Sequence, residues 1–516
     1  MFTIMLTLLI MQPQGQIIWS HQGTGGIYSS IPTYDYNNDG HPDVAAAAYY
    51  GATPSPTTQL FLVSGLNGNN IWTRSDVKGI WGTRGLSTIN DISGDGIPDL
   101  IMGTAGGIFP GRTVFAINGL TNATIWSHSY YPTGGTGVAG WVYCVRPTND
   151  FNHDGYPEVL AAVGTTTGYT GVAACFSGHT GDSIWAFRPN DAVMCIVPHV
   201  DLNSDTVPEV ILAAGGNSAD NRIYCLNGRT GTQVWSYLTA GSVEFVASVD
   251  DANNNGTKDV VGGGWAYTVY CVDGLNGSMV WSNNLGSGRV IMTLVPIKDI
   301  NGDGKKDIVV GSWSSLVTVL SGQTGAVLWA QTVGSDCWSV DTISDVTGDG
   351  IPEVVGGAVN GKNVKVMNGA DGTVLWYYNF VDRVYDVTGS PDLNGDNQPD
   401  VLVSLQDQNS QPFQFYAFKG MPMAIAEHNS TIKKNPISVV RQNNGVQIKL
   451  SIPQGKYFSY QVYDINGRII ESSPTCSSNG DNTIISLARA LKSSGIYFVR
   501  VNIEGERTET VKISLF

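Results

Sequence analysis

Positive charge is scarce in this sequence. Its 516 residues include 28 Lys and Arg against 43 Asp and Glu, which gives a net charge of −15. The acidity is concentrated before residue 436, because the last 81 residues contain 9 basic and 6 acidic side chains. A protein surface that binds nucleic acid needs a basic patch. The composition therefore argues against a nucleic-acid partner.

Long apolar stretches are also lacking. The most apolar segment, residues 1–16, is too short to span a bilayer, and no other stretch is a candidate. The segment resembles the core of a secretory signal, although no Lys or Arg precedes it. We therefore expect an exported protein with a signal segment at residues 1–16 and no transmembrane helix.

Signatures of catalysis are absent as well. The chain contains no G-x-S-x-G elbow, no H-E-x-x-H zinc motif and no phosphate-binding glycine loop followed by Lys-Ser/Thr. Its seven cysteines are odd in number, and none has zinc-ligand spacing. Several recur at one of two repeat positions, which favours small buried apolar side chains over disulfides; they are Cys144, Cys175, Cys195, Cys225 and Cys271. The sequence favours a protein that is not an enzyme.

What the chain does contain is one nine-residue motif, approximately D-x-N-x-D-G-x-x-D/E, repeated eight times. We number the copies loops 1 to 8 by their first residues, Asp35, Asp91, Asp150, Asp201, Asp251, Asp299, Asp345 and Asp392. Side-chain oxygens at positions 1, 3, 5 and 9 can converge on one hard cation, and position 6 favours Gly because it needs a left-handed backbone. The repetition predicts up to eight structural Ca²⁺ ions.

The predicted ligands are the side chains at those four positions. They are Asp35, Asn37, Asp39, Asp43, Asp91, Ser93, Asp95, Asp99, Asp150, Asn152, Asp154, Glu158, Asp201, Asn203, Asp205, Glu209, Asp251, Asn253, Asn255, Asp259, Asp299, Asn301, Asp303, Asp307, Asp345, Thr347, Asp349, Glu353, Asp392, Asn394, Asp396 and Asp400. Loops 4, 5 and 8 depart from the pattern with Thr206, Asn255 and Asn397, respectively. Each loop supplies a full oxygen set, so a structural role is favoured over a catalytic metal.

The spacing of the motif predicts the architecture. Successive loops begin 46 to 59 residues apart, which is the period of a four-stranded unit. A strand, a Gly turn and a Trp accompany each loop, but Trp19 precedes the first loop and no Trp follows the last. The simplest explanation is an all-β, eight-bladed β-propeller over residues 17–420, closed when the N-terminal strand pairs near Phe415. Seven blades are the alternative.

Two repeat families share these residues. Loops such as Asp91–Asp99 resemble the calcium loops of FG-GAP repeats in integrin α-chain propellers. Turns such as Thr230 to Trp235 resemble PQQ-type quinoprotein repeats. A quinoprotein oxidoreductase would be expected to show an adjacent Cys-Cys pair, which this chain lacks.

The end of the chain follows another pattern. Residues 421–435 lack the repeat and are predicted to be a linker, and residues 436–516 contain alternating strands typical of a small β-sandwich. The segments Gln461–Ile470 and Gly495–Val501 resemble the type A C-terminal sorting domain of type IX secretion. That resemblance implies recognition by the type IX machinery and a place outside the cell or on the outer-membrane surface of a bacterium.

Aromatic residues interrupt the loops expected on the propeller face opposite the calcium loops. The candidate ligand-binding residues are Tyr50, Phe109, Tyr131, Trp141, Tyr169, Trp265 and Trp313. Loops on a rigid scaffold often bind ligands, although packing between blades is an alternative role for these rings. We expect a binding or adhesion module for an extracellular protein or glycan. A carbohydrate-active enzyme similar to polysaccharide lyases is the alternative.

Overall fold

The structure is a computed structural model of the chain, and it separates into two compact units, Met1–Ala424 and Ile425–Phe516. It describes residues 14–23, 25–48, 60–105, 112–130, 140–164, 171–216, 218–406, 414–421, 437–442, 445–450, 456–464, 468–477, 483–486, 495–503 and 509–515. These residues form strands, turns and bends, and no helix. In the described part of the chain, nothing helical is long and apolar enough to cross a membrane. The predicted all-β class is confirmed.

The first unit is built from short strands. In chain order they are β1 (Ile17–Gln22), β2 (Ile27–Pro32), β3 (Val44–Ala48), β4 (Leu60–Val63), β5 (Asn70–Arg74), β6 (Leu86–Ile89), β7 (Asp99–Gly103), β8 (Thr113–Ile117), β9 (Thr124–Ser129), β10 (Trp141–Pro147), β11 (Val159–Gly164), β12 (Val172–Phe176), β13 (Ser183–Phe187), β14 (Ala192–Pro198), β15 (Val210–Gly215), β16 (Arg222–Leu226), β17 (Gln233–Leu238), β18 (Val243–Ser248), β19 (Val260–Gly264), β20 (Thr268–Val272), β21 (Met279–Asn284), β22 (Ile291–Ile297), β23 (Asp307–Ser312), β24 (Leu316–Leu320), β25 (Val327–Thr332), β26 (Cys337–Ile343), β27 (Glu353–Ala358), β28 (Asn363–Met367), β29 (Val374–Asn379), β30 (Arg383–Ser390), β31 (Asp400–Gln406) and β32 (Gln414–Lys419).

These strands form eight four-stranded antiparallel sheets within the described residues. Sheets 1 to 7 take four consecutive strands each, beginning with β2–β5 and ending with β26–β29. Sheet 8 has the order β1-β32-β31-β30, so the N-terminal strand supplies its outer edge. The first strand of every sheet contacts the first strand of the next, and β30 contacts β2. The sheets thus form a closed ring, which is the arrangement of a β-propeller.

The predicted closure at the N-terminus is confirmed. Trp19 pairs with Ala417 across β1 and β32, and its ring meets Phe415 edge-on at 5.8 Å. Gln14 also forms a parallel bridge with Tyr377, and the Gly15 backbone N–H donates to the Tyr377 carbonyl at 2.9 Å. Residues 14–16 are thus hydrogen-bonded to neighbouring strands of the first unit, and the signal segment at residues 1–16 stays a prediction.

The repeated Trp joins each sheet to the next. Trp235 donates its indole N–H to the Gly274 carbonyl in sheet 5 at 2.9 Å, and its ring packs on Gly277, whose φ is 75°. A Cβ atom on Gly277 would lie 2.6 Å from the Trp235 ring, so this turn requires glycine. All eight sheets use the same hydrogen bond from an indole N–H to a glycine carbonyl of the next sheet. The other seven donors are Trp19, Trp72, Trp126, Trp185, Trp281, Trp329 and Trp376.

Replacing Trp235 tests how much this contact stabilises the ring. Trp235→Ala is expected to cost roughly 3–5 kcal/mol of unfolding free energy, because it leaves a cavity between two sheets. Trp235→Phe is expected to cost roughly 1–3 kcal/mol, since it leaves the Gly274 carbonyl without a donor. Urea unfolding of both variants measures the difference. Leu238→Ala is the control, because this side chain on the same strand is 61% exposed and its loss should change stability by less than about 1 kcal/mol.

The second unit is also all-β where it is described. Its strands are β33 (Ile437–Gln442), β34 (Gly445–Leu450), β35 (Tyr457–Asp464), β36 (Ile469–Ser472), β37 (Cys476–Ser477), β38 (Thr483–Ser486), β39 (Gly495–Ile503) and β40 (Glu509–Leu515). They form one sheet of β33-β34-β38 and a second of β36-β35-β39-β40, with β37 beside β35. Val462, Val499 and Val501 are buried in this unit. The boundary between the units lies inside the predicted linker.

Candidate functional site: the acidic loops and the channel mouth

Each acidic loop connects the first two strands of a sheet. In loop 1, Asp35 accepts the backbone N–H groups of Asp39 and Gly40 at 3.0 and 2.8 Å. The carboxylate at position 9, Asp43, is fully buried and accepts the Tyr36 N–H at 2.7 Å. Position 6 has the predicted positive φ in all eight loops, including Thr206 at 73° and Asn397 at 63°. The loop is thus held in shape by its own carboxylates.

The three carboxylates converge in two of the loops. In loops 1 and 7, Asp35, Asp39 and Asp43, and likewise Asp345, Asp349 and Glu353, offer ligand oxygens within 4.8 Å of one another. Burial and neighbouring carboxylates raise the pKa of Asp43 to about 6. The same causes raise the pKa values of Glu158 and Asp400 to about 7. A cation would favour the charged forms that burial disfavours. The hard oxygen donors suit Ca²⁺.

The turn between the third and fourth strands of each sheet places a side chain beside the acidic loop. The sequence motif alone did not indicate this contact. In five loops a neutral side chain from this turn donates to the position-5 carboxylate, for example Ser64 to Asp39 at 2.8 Å. The other four donors are Asn118, Ser177, Ser321 and Asn368. They belong to loops 1, 2, 3, 6 and 7, the ones whose sequence fits the motif without exception.

The three irregular loops have charged partners instead. In loop 5, Asn253 and Asn255 both donate to Asp273, at 2.9 and 2.7 Å, so the missing carboxylate is supplied from the turn. In loop 8, the Lys419 ammonium lies 2.9 Å from Asp396. In loop 4, the Arg229 guanidinium lies 3.6 Å from the Asp205 carboxylate. Asp273 and Lys419 occupy the same repeat position as Ser64, a signal that could have identified them from the sequence.

The opposite end of the ring is an aromatic channel mouth. A cavity of about 120 Å³ opens there, where the first strands of the sheets begin. One lining residue in each sheet lies seven residues before the first Asp of its loop. These eight residues, which we call the mouth residues, are Tyr28, Arg84, Tyr143, Met194, Glu244, Met292, Trp338 and Tyr385.

Backbone bulges place the mouth residues. In seven of the eight first strands the register shifts at the mouth residue, as between Ile27 and Ser29 around Tyr28. A bulge leaves one extra residue unpaired and re-aims its side chain. Sequence reasoning missed these residues because the alternation of apolar and polar residues along a strand does not reveal a bulge. Their constant offset from the loops is the signal that could have found them.

Rings connect the mouth residues with two of the predicted binding residues. The aromatic arc runs through Trp265, Trp313, Trp338, Tyr385 and Tyr28, with successive centroids 5.5, 6.2, 4.8 and 4.4 Å apart. Trp265 and Trp313 are 46% and 39% exposed.

Across the mouth, Trp141 lies between Trp81 and Tyr143, at 5.1 and 5.9 Å. The structure thus brings together Trp141, Trp265 and Trp313 around the mouth. The other predicted binding residues, Tyr50, Phe109, Tyr131 and Tyr169, lie outside the described residues.

Two indole N–H groups at the mouth have no acceptor among the residues that the structure describes. They belong to Trp141 and Trp338, and both nitrogens are buried. In contrast, Trp265 donates to the Glu244 carboxyl at 2.7 Å. Burial raises the pKa of Glu244 to about 7.

Arg84 forms the floor of the mouth. Its guanidinium donates to Cys195 Sγ at 3.1 Å and to the Leu294 carbonyl at 3.3 Å, and it lies 4.5 Å from the centre of the Phe245 ring. Burial raises the pKa of the Tyr143 hydroxyl far above its ordinary value. That tyrosine therefore keeps its proton and does not serve as a general base, and the guanidinium is already engaged by three partners.

Comparisons with known proteins agree with this fold. A family profile described as outer membrane protein assembly factor BamB matches residues 110–305 and 267–398, which together make up more than half of the chain. A second profile, described as a secretion system C-terminal sorting domain, matches residues 442–515. No curated protein sequence matches the chain.

Among solved structures, quinohemoprotein alcohol dehydrogenases from Pseudomonas putida and Comamonas testosteroni are similar. The first is 11% identical, with 78% of this chain and 76% of that chain covered and a TM-score of 0.52. The second is 12% identical, with 79% and 77% covered and the same TM-score. At these identities the likeness shows the propeller fold alone. The chain therefore belongs to the BamB-type β-propeller repeat family and carries a C-terminal sorting domain of type IX secretion, which marks it as a secreted or cell-surface bacterial protein.

Proposed function

We propose that this protein is a secreted, eight-bladed, calcium-stabilised β-propeller that binds an extracellular glycan at its channel mouth. The eight four-stranded sheets in a closed ring support the blade count. The convergent carboxylates of loops 1 and 7 support calcium there, and the same motif residues support it in loops 2, 3 and 6; all five also resemble FG-GAP loops. Loop 8 is expected to bind calcium weakly, because the Lys419 ammonium already lies beside Asp396.

The exposed rings at the channel mouth are the observation that favours a glycan. A sugar presents a flat apolar face that can stack on Trp265 and Trp313, which are 46% and 39% exposed. A binding role is favoured over a carbohydrate-active enzyme, because the described part of the cavity lining contains no Lys or His and its Arg84 is engaged by Cys195 and Leu294. An adhesion role on a protein ligand would use the same rings.

Binding should depend on the aromatic arc. An array of glycans and extracellular matrix proteins, probed with the purified chain in calcium, is expected to give glycan ligands. Trp313→Ala should then weaken binding of the selected glycan about five- to thirtyfold, because the loss of one stacked ring costs roughly 1–2 kcal/mol. Isothermal titration calorimetry measures the change in Kd.

Tyr34→Ala is the matched control for this experiment. Tyr34 is 45% exposed and stands next to loop 1, on the opposite face of the ring. It should leave the affinity unchanged. Equal losses in both variants, or binding to matrix proteins alone, would contradict the glycan site. Release of shortened glycan products would instead support the enzyme class.

A further inference from the structure

The channel continues beyond its mouth as a second cavity. Arg84 reaches from sheet 2 to the Leu294 carbonyl of sheet 6, which is the sheet directly opposite in a ring of eight. Arg84 and Thr83 line the mouth cavity and also a larger cavity of about 400 Å³, which we call the chamber. Ligand pockets typically have volumes of roughly 300–1,000 Å³. Arg84 thus separates a cavity of ligand size from the candidate glycan site.

The chamber opens toward the acidic loops. It shares Pro32 and Thr88 with a third cavity of about 580 Å³, which Pro147 and Pro198 also line. The three prolines are the last residues of β2, β10 and β14, next to the loops that follow these strands. Proline fixes the backbone and removes an N–H donor. A solute can therefore enter the chamber through a backbone-rigid opening without passing the mouth.

Opposite charges line opposite sides of the chamber. The guanidinium groups of Arg84 and Arg146 come from sheets 2 and 3, and the carboxylates of Asp341 and Asp386 come from sheets 7 and 8. Arg146 and Asp341 each stand four residues before the first Asp of a loop, so they lie at the same level on sheets that face each other across the ring. None of the ion pairs among the described residues includes any of these four groups.

Neutral groups of neighbouring sheets hold both carboxylates in place. Asp386 is 5% exposed and accepts the Ser339 hydroxyl at 2.9 Å and the Ser30 backbone N–H at 3.4 Å. Asp341 accepts the Gly389 N–H at 2.9 Å. Burial raises the pKa of Asp386 to about 7. A cation between the two carboxylates would favour the charged forms that burial disfavours.

Arg146 is the guanidinium with capacity for an anion. One of its terminal nitrogens donates to the Val145 carbonyl at 2.8 Å and to the Arg84 carbonyl at 3.5 Å. Its other terminal nitrogen forms no hydrogen bond with the residues that the structure describes. A guanidinium carries five N–H donors in a planar fork that matches a carboxylate. Arg84, in contrast, is held by Cys195 and Leu294.

We propose that the chamber binds a small zwitterion, with its ammonium group beside Asp341 and Asp386 and its carboxylate on Arg146. The two positive and two negative charges of the lining sum to zero. A plain amine or a plain carboxylate would satisfy one wall and leave the charge of the opposite wall without a partner. A ligand that carries both charges satisfies both walls. The site lies on the other side of Arg84 from the mouth, and it does not depend on the proposed glycan binding.

A series of ω-amino acids tests the ligand class. Isothermal titration calorimetry of the full chain in calcium, with members from glycine to aminohexanoate, should give saturable binding. The affinity should pass through a maximum at one chain length, because the walls of the ring are a fixed distance apart. The alkylamine and the carboxylate of that length should each bind at least about tenfold more weakly. Absence of binding throughout the series, or equal binding of the matched amine, would overturn the proposal.

Charge-removing variants locate the site. Asp341→Asn and Arg146→Gln should each weaken binding of the best ω-amino acid about tenfold or more, because each removes one of the two complementary charges. Asp341→Asn should also reduce the preference for that ligand over the matched carboxylate, which a general loss of folding would not do. Asp336→Asn is the matched control, since this carboxylate precedes β26 at the mouth end and accepts from Asn360 at 2.6 Å. Equal losses in Asp336→Asn and Asp341→Asn would contradict the site.

Discussion

Chelating calcium from the purified protein is expected to lower its thermal unfolding midpoint by roughly 10 °C or more. Each of the five regular loops contains three carboxylates, and the one at position 9 is fully buried. Without a cation, burial raises the pKa of Asp43 to about 6 and that of Glu158 to about 7, so their charged forms are costly. A site filled at a hundredfold excess over its Kd stabilises the fold by about 2.7 kcal/mol. Five such sites make the effect large.

Two substitutions separate calcium binding from loop geometry. Asp303→Ala removes a position-5 ligand of loop 6 and is expected to cost roughly 1–3 kcal/mol in calcium. Asn255→Ala at the same position of loop 5 should cost less, since Asp273 supplies a carboxylate there. In chelator the difference between the two variants should shrink, because neither loop then holds an ion. Unchanged unfolding midpoints of the natural chain with and without chelator would rule out structural calcium.

Removing the second unit is expected to abolish arrival at the cell surface. A chain that ends at Ala424 keeps all eight sheets of the first unit but lacks the sorting domain matched over residues 442–515. In its native bacterial host it should accumulate in the periplasm, while the full chain reaches the surface and loses roughly its last 80 residues. Cell fractionation and mass spectrometry of the C-terminus measure both results.

The truncated chain must be shown to fold for this test to be informative. Its unfolding midpoint and its response to calcium should match those of the first unit in the full chain, since the two units are compact by themselves. Normal export of the truncated chain would show that export does not need residues 442–515 and would contradict their role as a sorting domain. A mature surface protein that still carries Phe516 would show instead that the second unit is a permanent module.

Much of the fold could be predicted because its signals are local. The spacing of the acidic loops predicted a four-stranded unit for each copy, and the structure has eight four-stranded sheets among the described residues. The pairing of Trp19 beside Phe415 followed from a count of loops and tryptophans. A loop of nine residues makes most of its hydrogen bonds within itself, so most of its chemistry can be read from the loop, and only the partner from the turn between the third and fourth strands lies elsewhere.

The channel mouth could not be predicted in the same way. Trp265 and Trp313 were recognised as candidates, but the neighbouring Tyr28, Glu244 and Tyr385 were not. These three lie in or beside strands whose alternation gives no sign of a bulge. Closing the ring is what brings them around one cavity.

The amino-acid sequence by itself determined the repeated sheets, the acidic loops and the C-terminal sorting domain, because each is encoded within about ten to eighty consecutive residues. Only the tertiary structure decided that Arg84 reaches Leu294, 210 residues away, and that the rings of Tyr28 and Tyr385 meet. Contacts of that kind depend on the curvature of the ring and on the angle between neighbouring sheets. Both the curvature and the angle depend on the packing of many side chains together, and no short sequence motif predicts them.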